Sequence, residues 1–379
     1  MSGLIYHLAE PEAKKSFYSE FDNIDMNLSV GEGRVLVKNS VRLIGELQIR
    51  DNGARPAQAG ILFDNKIGVH SFVDSVQVSF LDGPNAGSKE NIQNYARYAA
   101  MAQVATSNPE DALNGSELCE LKGYDERTTN LFVQGRTTRN TNTPQTDLNQ
   151  DFSMKPMCIL NKMSGGNLSY SKSGVIRLTL NLAPNRSALY GGAAGGNGYN
   201  PAEDDYRIVN PRLIYQSLPD SGKEGQVLMR SVFNVKNAIL SNFSNTQVRV
   251  PSGACDACSV SFQRIDKEQK APFNNYQLER VKGFEEIQFL FNDSTNEYVS
   301  YIINDETEFL HRGVNSFVDT GHNQLSIPRF NDNQSFIGGL GFNGFVNLSN
   351  QKFSVQLKSK IDNTTGFNIY MYFHSLMSM

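Results

Sequence analysis

The sequence predicts an all-β chain with a few helices, folded as two consecutive eight-stranded jelly-roll β-sandwiches. Three observations carry this expectation. Short alternating runs recur along all 379 residues, spaced by Gly, Asn, Asp and Pro. Helical periodicity is confined to two main segments, which argues against a parallel α/β sheet. Those segments also lie in two units that echo one another, at 72–104 and 284–304, each reading as strand, turn and helix.

In the first unit Val76, Val78 and Phe80 alternate with Gln77 and Ser79, the period of a half-buried strand. Asp82-Gly83-Pro84-Asn85 breaks it. From Ser88 the spacing turns helical, with Ile92, Tyr95, Ala96 and Ala99 on one face and Ser88 as the expected N-cap. In the second unit Ile287, Phe289 and Phe291 alternate with Gln288 and Leu290, and Asp293 ends the strand. Both strand and stop lie 211 positions (287 − 76) beyond their counterparts. Ser294 and Glu297 form a capping-box signature ahead of a helix expected to carry Tyr298, Tyr301 and Ile302. The two halves also end alike: LIYQSL at 213–218 parallels MYFHSL at 371–376, an offset of 158 (376 − 218), and VIRLTLNL before the one parallels KFSVQLKS before the other. Eight strands in two sheets limit exposed edges, which makes a jelly roll the expected sandwich at this size.

Taken in order, residues 1–30 read as a polar N-terminal arm holding Phe17, Tyr18 and Phe21. RVLVKNSVRLIGELQIR follows as a strand with Val41, Leu43, Leu47 and Ile49 on one face, and AGILF as another. Ser107-Asn108-Pro109 stops the first helix, and 107–150 is a long polar excursion expected at the surface. FSMKPMCIL and VIRLTLNLAP resume the strand pattern, GGAAGGNGYNPAEDD is a loop, and YRIVNPRLIYQSL closes the first sandwich, with Pro211 implying an edge position or a bulge. The stretch 219–225 is polar, turn-rich and central, so it is the expected linker between a first sandwich at 31–218 and a second at 226–379. RSVFNVKNAIL, TQVRVPSG, CSVSFQRI, FSVQLKSKI and FNIYMYFHSL supply further strands of the second.

Composition narrows the function. At 39% hydrophobic and 20% charged the chain is globular, and its apolar runs fall short of the ~20 residues of a membrane span. No signal peptide is expected, and Ser2 followed by Gly3 does not fit N-myristoylation. A net charge of −4 disfavours nucleic-acid binding, which draws on Lys and Arg neutralising phosphates. Arg127, Arg136 and Arg139 cluster in sequence but read as solvated loop charges.

A search for chemistry returns no catalytic, cofactor-binding or metal-ligating residue. Cys255 and Cys258 form a lone CxxC without the second pair of ligands a zinc ribbon needs, and a strand follows where a redox motif wants a helix. Cys119 and Cys158 stand alone. None of the five histidines, His7, His70, His311, His322 and His374, lies in HExxH or a His-x-His pair. Residues 339–344 match GxGxxG, but strand-like VNLSNQKFSVQL follows, so a turn or bulge is expected and not a phosphate cradle. Glu285-Glu286 and Asp204-Asp205 are adjacent and would point to opposite faces of a strand, which leaves acid/base pairing unsupported.

The stretches NKIGVHSFVDSVQVSFLDGP, IRLTLNLAPNRSALYG with RIVNPRLIYQSLPD, and NLSNQKFSVQLKSKIDNTTGFNIYMYFHSL resemble the double jelly-roll major capsid proteins of adenoviruses, tailless membrane-containing phages and large DNA viruses. They are most similar to the virophage and Polinton-like branch. The resemblance implies a non-enzymatic homotrimer of six jelly rolls, a pseudo-hexagonal capsomer tiling an icosahedral virion. Its partners would be itself, neighbouring capsomers, penton and minor or cement proteins and, by analogy, an internal membrane. It also puts the loops 107–150 and 183–205 at the outer end or at trimer contacts. Two other readings fit a jelly-roll chain: a minor capsid or spike protein, and a carbohydrate-binding protein or hydrolase.

Overall fold

The computed structural model describes residues 3–50, 61–64, 66–106, 119–122, 148–191, 204–222, 225–250, 254–281, 283–292, 298–317, 336–348, 352–359 and 366–379. Apolar residues at every second position bury one face of each strand, and four antiparallel sheets result. In chain order the first sandwich uses β1 (Ile5–Ala9), β2 (Asn23–Leu28), β3 (Arg34–Leu36), β4 (Arg42–Arg50), β5 (Val73–Phe80), β6 (Gly87–Ile92), β7 (Leu148–Met154), β8 (Met163–Gly165), β9 (Leu168–Ser169), β10 (Ile176–Leu182) and β11 (Asp205–Pro219). The second uses β12 (Val227–Ile239), β13 (Phe243–Arg249), β14 (Ala254–Arg264), β15 (Phe284–Asn292), β16 (Tyr298–Ile303), β17 (Gly338–Asn347), β18 (Lys352–Ser359) and β19 (Phe367–Ser378).

Hydrogen bonding in the second sandwich runs β12-β19-β14-β17 in one sheet and β13-β18-β15-β16 in the other. Numbering its strands one to eight, the orders are 1-8-3-6 and 2-7-4-5, a jelly roll. The first sandwich repeats both orders as β1-β11-β4-β7 and β2-β10-β5-β6. The sequence echoes therefore match equivalent strands: β5 with β15, β10 with β18, and β11 with β19.

Several expectations are corrected. Residues 1–30 are no free arm: β1 and β2 are the first two strands of the first sandwich, and Tyr18 is buried with its backbone bridged to Ile208. RVLVKNSVRLIGELQIR is two strands, because a turn with Asn39 at φ 59 separates β3 from β4. Ser88 caps no helix. Residues 87–92 form β6, whose partner β5 hides its apolar side, and helix α1 (Tyr95–Thr106) begins only after it. In the second half Ser294 and Glu297 lie outside the described residues, and Tyr298, Tyr301 and Ile302 belong to β16. The helix comes later as α2 (Glu306–Asn315), where the Asp305 side chain accepts from Glu308 N at 2.8 Å. Of the two positions expected for Pro211 the bulge is the one found: it lies on a central strand where Asn210 takes φ 48 and pairing with β4 shifts register.

Each helix thus follows the fifth strand of its sandwich, but the two are covered differently. In α1 every residue from Tyr95 to Ala105 is buried; in α2 only Phe309, Gly313 and Val314 are. Phe309 is the anchor of α2, stacked on Phe284 at 5.6 Å between ring centroids and tilted against Phe262, Phe289 and Phe336. Gly338 of β17 gives the ring room: a Cβ there would lie 2.0 Å from the Phe309 ring. Among the described residues no helix is long and apolar enough to cross a membrane.

Truncating Phe309 leaves a ring-sized void that its four aromatic neighbours cannot all fill. Phe309→Ala is expected to destabilise the protein by about 3–5 kcal/mol, read as a lower denaturation midpoint with unchanged secondary structure; a loss below 1 kcal/mol would contradict its anchoring role.

Candidate functional site at the seam between the sandwiches

Among the described residues no catalytic constellation assembles, and the residues singled out in the sequence are scattered. Arg127, Arg136, Arg139 and His322 lie outside the described residues, as do most of the loops 107–150 and 183–205. The described start of the second loop folds inward, with Leu189 buried and Tyr190 bridged to Leu62. Cys255 and Cys258 both enter the second core. Positions three apart on a strand normally face opposite ways, but a register shift at Asp256 turns both inward. Gly339 and Gly341 belong to strand β17, whose pairing is irregular opposite that shift. Gly339 serves close packing, since a Cβ there would meet the Cys258 carbonyl at 2.7 Å. Among the described residues no three His, Cys, Asp or Glu could hold a metal ion.

His70 and His374 are absorbed into packing. His70 is buried with Nδ1 2.7 Å from the Tyr95 hydroxyl, which itself accepts from Met157 N at 2.9 Å. Its Nε2 lies 3.4 Å from Glu120. Burial raises the Glu120 carboxyl, but Lys122 at 2.6 Å and His70 outweigh this and hold it below the ordinary carboxylate range. His374 is buried beside Ser259 Oγ at 2.9 Å, and burial pushes its pKa well down, so the ring is neutral. His7 stacks on Tyr215 with centroids 5.0 Å apart, and His311 is exposed near Asn315.

The feature with the most convergent polar chemistry is the seam. Strand β12 is the first strand of the second sandwich, and an edge strand carries amides that need partners. The first sandwich supplies them. β8 pairs with Val227–Met229, Arg230 N donates to the Lys162 carbonyl at 3.2 Å, and Val232 N donates to Glu90 Oε1 at 2.9 Å. The other Glu90 oxygen accepts from Ile159 N at 2.6 Å, and Gln93 N donates to Asn234 Oδ1 at 2.9 Å. Glu90 is 3% exposed. Burial outweighs both amides and Lys162, raising its pKa from 4.5 to about 7.

Helix α1 lies along this seam. Its run YARYAAMAQVA combines strong helix formers with small side chains that let neighbours approach on all sides. Arg97 crosses into the second sandwich, donating to the Gln277 carbonyl at 3.0 Å, to the Asn275 carbonyl and to Gln263 Oε1, with its guanidinium 4.3 Å from the Tyr370 ring centroid. Tyr98 packs against Tyr372 at 5.3 Å and Phe317 at 5.8 Å, and Lys162 donates to its hydroxyl at 2.7 Å. Tyr372 in turn donates to the Asn94 carbonyl at 2.9 Å. None of Glu90, Arg97 and Asn234 was singled out in the sequence; an arginine inside the otherwise largely apolar run at 95–105 was the only signal.

No protein-family model matches the sequence, and no curated protein matches it. Solved structures match its fold end to end. The Faustovirus major capsid protein is 7% identical, with a TM-score of 0.64 over 100% of this chain and 90% of that one. A chain from the cryo-EM structure of the Sputnik virophage is 10% identical, with a TM-score of 0.59 over 100% of this chain and 89% of that one. The mavirus major capsid protein is 9% identical, with a TM-score of 0.52 over 99% and 90%. The chain has the double jelly-roll fold.

Two measurements check the chemistry above. Burial raises Cys158 to about 12, Cys255 to about 11 and Cys258 well above an ordinary thiol, whereas Cys119 is exposed. Thiolate is the reactive form, so a native thiol titration is expected to find one fast cysteine and three that react only on unfolding; a second fast thiol would contradict this. The raised Glu90 pKa means that the folded chain holds the proton more tightly than the unfolded one. Its contribution is complete below about pH 4.5 and is lost as pH rises toward 7, on the order of 3 kcal/mol in all. Glu90→Gln is expected to flatten the fall in Tm across that window, and an unchanged slope would contradict the assignment.

Proposed function

We propose that this chain is a major capsid protein of a DNA virus, the building block of pseudo-hexagonal homotrimeric capsomers in an icosahedral shell. Its place is the virion, and its role is structural, without catalysis. The observation that carries the reading is the pair of eight-stranded jelly rolls joined side by side by a buried seam, a fold shared along the whole chain with proteins named as major capsid proteins. A rigid pair of similar units gives each copy two of six near-equivalent corners, so three copies complete the hexagon. Head-to-tail contacts of this kind generate a closed ring when the rotation closes.

The division into sandwiches at 219–225 belongs to the same reading. So do the partners: further copies in the trimer, neighbouring capsomers, penton and minor or cement proteins and, by analogy, an internal membrane. Sequence-specific nucleic-acid binding is no part of it, in keeping with the net charge of −4. Light scattering on the purified protein should give about three times 42.1 kDa, and negative-stain electron microscopy should show pseudo-hexagonal particles. Dispersed monomers would overturn the proposal.

A further inference from the structure

The seam inside the chain names the surface on which a second copy docks. Equivalent positions follow from the register. On β12, Val232 N donates to the Glu90 side chain and the Asn234 side chain accepts from the Gln93 amide, and these two residues lie opposite His374 and Tyr372 of β19. The offset of 158 between β11 and β19 carries these to Gln216 and Ile214, whose partners on β1 are Tyr6 and Leu8. β1 is thus the counterpart of β12, but among the described residues it pairs with no strand besides β11. Its apolar side chains stand in solvent: Tyr6 is 67% exposed, Leu8 52% and Ile5 45%. An edge strand carrying exposed apolar residues is a pairing template.

The other half of the contact is found in the same way. β6 pairs with β5 through Val76–Ile92 and Val78–Glu90, and β16 pairs with β15 through Ile287–Ile303 and Phe289–Tyr301. The offset of 211 therefore places Tyr301 and Asn304 where the first sandwich has Glu90 and Gln93. β16 ends its sheet, and it too shows apolar residues to solvent, with Tyr298 69% exposed and Ile302 56%. Within one chain the β6 segment covers β12; the equivalent β16 segment and β1 lie at opposite ends of the repeat and are both uncovered among the described residues.

We propose that the β1 edge of one copy receives the β16 edge of a second copy, repeating between chains the contact that joins the two sandwiches within one. The inference rests on the capsomer reading and specifies its interface: Tyr6 and Leu8 on one side, Tyr301, Ile302 and Asn304 on the other. The contact is heterologous, so each copy uses both surfaces once and the ring closes. It is also more apolar than the internal seam. Glu90 and Asn234 are replaced at its equivalent positions by Tyr301 and Leu8, side chains that a free monomer can expose without desolvating a charge on docking.

Two full-length variants test it, Tyr6→Glu/Leu8→Glu on β1 and Ile302→Glu/Asn304→Glu on β16. All four positions are exposed, so both variants should keep the wild-type circular dichroism and Tm. Each alone is expected to fall from three times the chain mass to one. An equimolar mixture should recover two-chain particles and no larger ones, because only one intact pair of surfaces remains. In wild-type particles the amides of residues 5–9 should exchange slowly with deuterium, and in both variants at least tenfold faster. A wild-type trimer whose folded variants remain trimeric overturns this contact and leaves the capsomer reading standing, as does a mixture that stays monomeric. A wild-type monomer overturns both.

Discussion

An edge of a β-sheet cannot be left half-satisfied inside a protein, and the edge of β12 is where this constraint acts hardest. Its amides point toward the first sandwich, so whatever lies there must accept hydrogen bonds in a fixed order. Three residues of β8, the Lys162 carbonyl and the Glu90 carboxyl do so in sequence along the strand, and beyond them the Gln93 amide donates to the Asn234 side chain. Because hydrogen bonds are directional, this row fixes how the two sandwiches lie side by side. Apolar packing alone would leave them freer to slide. The rest of the seam follows from that placement: α1 is enclosed on all sides, so its sequence must be small and apolar, and the charge of Arg97 must find carbonyls on the far side.

Charge at the seam has a cost that its geometry partly offsets. A buried carboxylate in apolar surroundings is pushed toward its neutral form, and burial raises the pKa of Glu90 to about 7 even with two amides donating to it. Arg97 is held by two carbonyls, an amide oxygen and an aromatic face, and Glu268, joined to Tyr370 and Lys236, lies close enough to feel its charge. Removing one member would leave the others buried without partners, which costs more than the pairing itself contributes.

Most of the fold was legible in the sequence because strand period and strand order are both written locally. Val76–Phe80, Ile176–Leu182 and 371–376 alternate cleanly, and their repeats marked equivalent strands. What failed were the places where tertiary context decides. Residues 87–92 and 298–303 carry apolar residues at spacings compatible with helix or strand, and only an open edge on β5 and β15 makes them strands. β1 looked like a polar arm because it is an edge strand with one side in water. Two cysteines three apart share one core because a bulge at Asp256 lies between them, and no local pattern announces that bulge. The seam was invisible for a simpler reason: Glu90 and Arg97 acquire meaning only when segments 142 to 180 residues downstream are set against them, and no local pattern carries that.

The two helices show how a repeat diverges once its copies are covered differently. α1 and α2 both follow a fifth strand, and each is held to its own sandwich by a buried aromatic, Tyr95 in one and Phe309 in the other. α1 stays buried on its remaining faces, with Arg97 and Tyr98 set against the second sandwich. α2 carries Glu306, Glu308, His311 and Arg312 there, with Glu308 and Arg312 paired along one turn, so its outer face is stable in water. A chain meant to work alone would gain nothing from keeping a second α1-like face, and a chain that sealed α2 with apolar residues would aggregate before it met a partner. The polar helix beside the apolar β16 edge is the compromise: β16 offers a narrow apolar strip for contact, and α2 keeps the surface around it soluble.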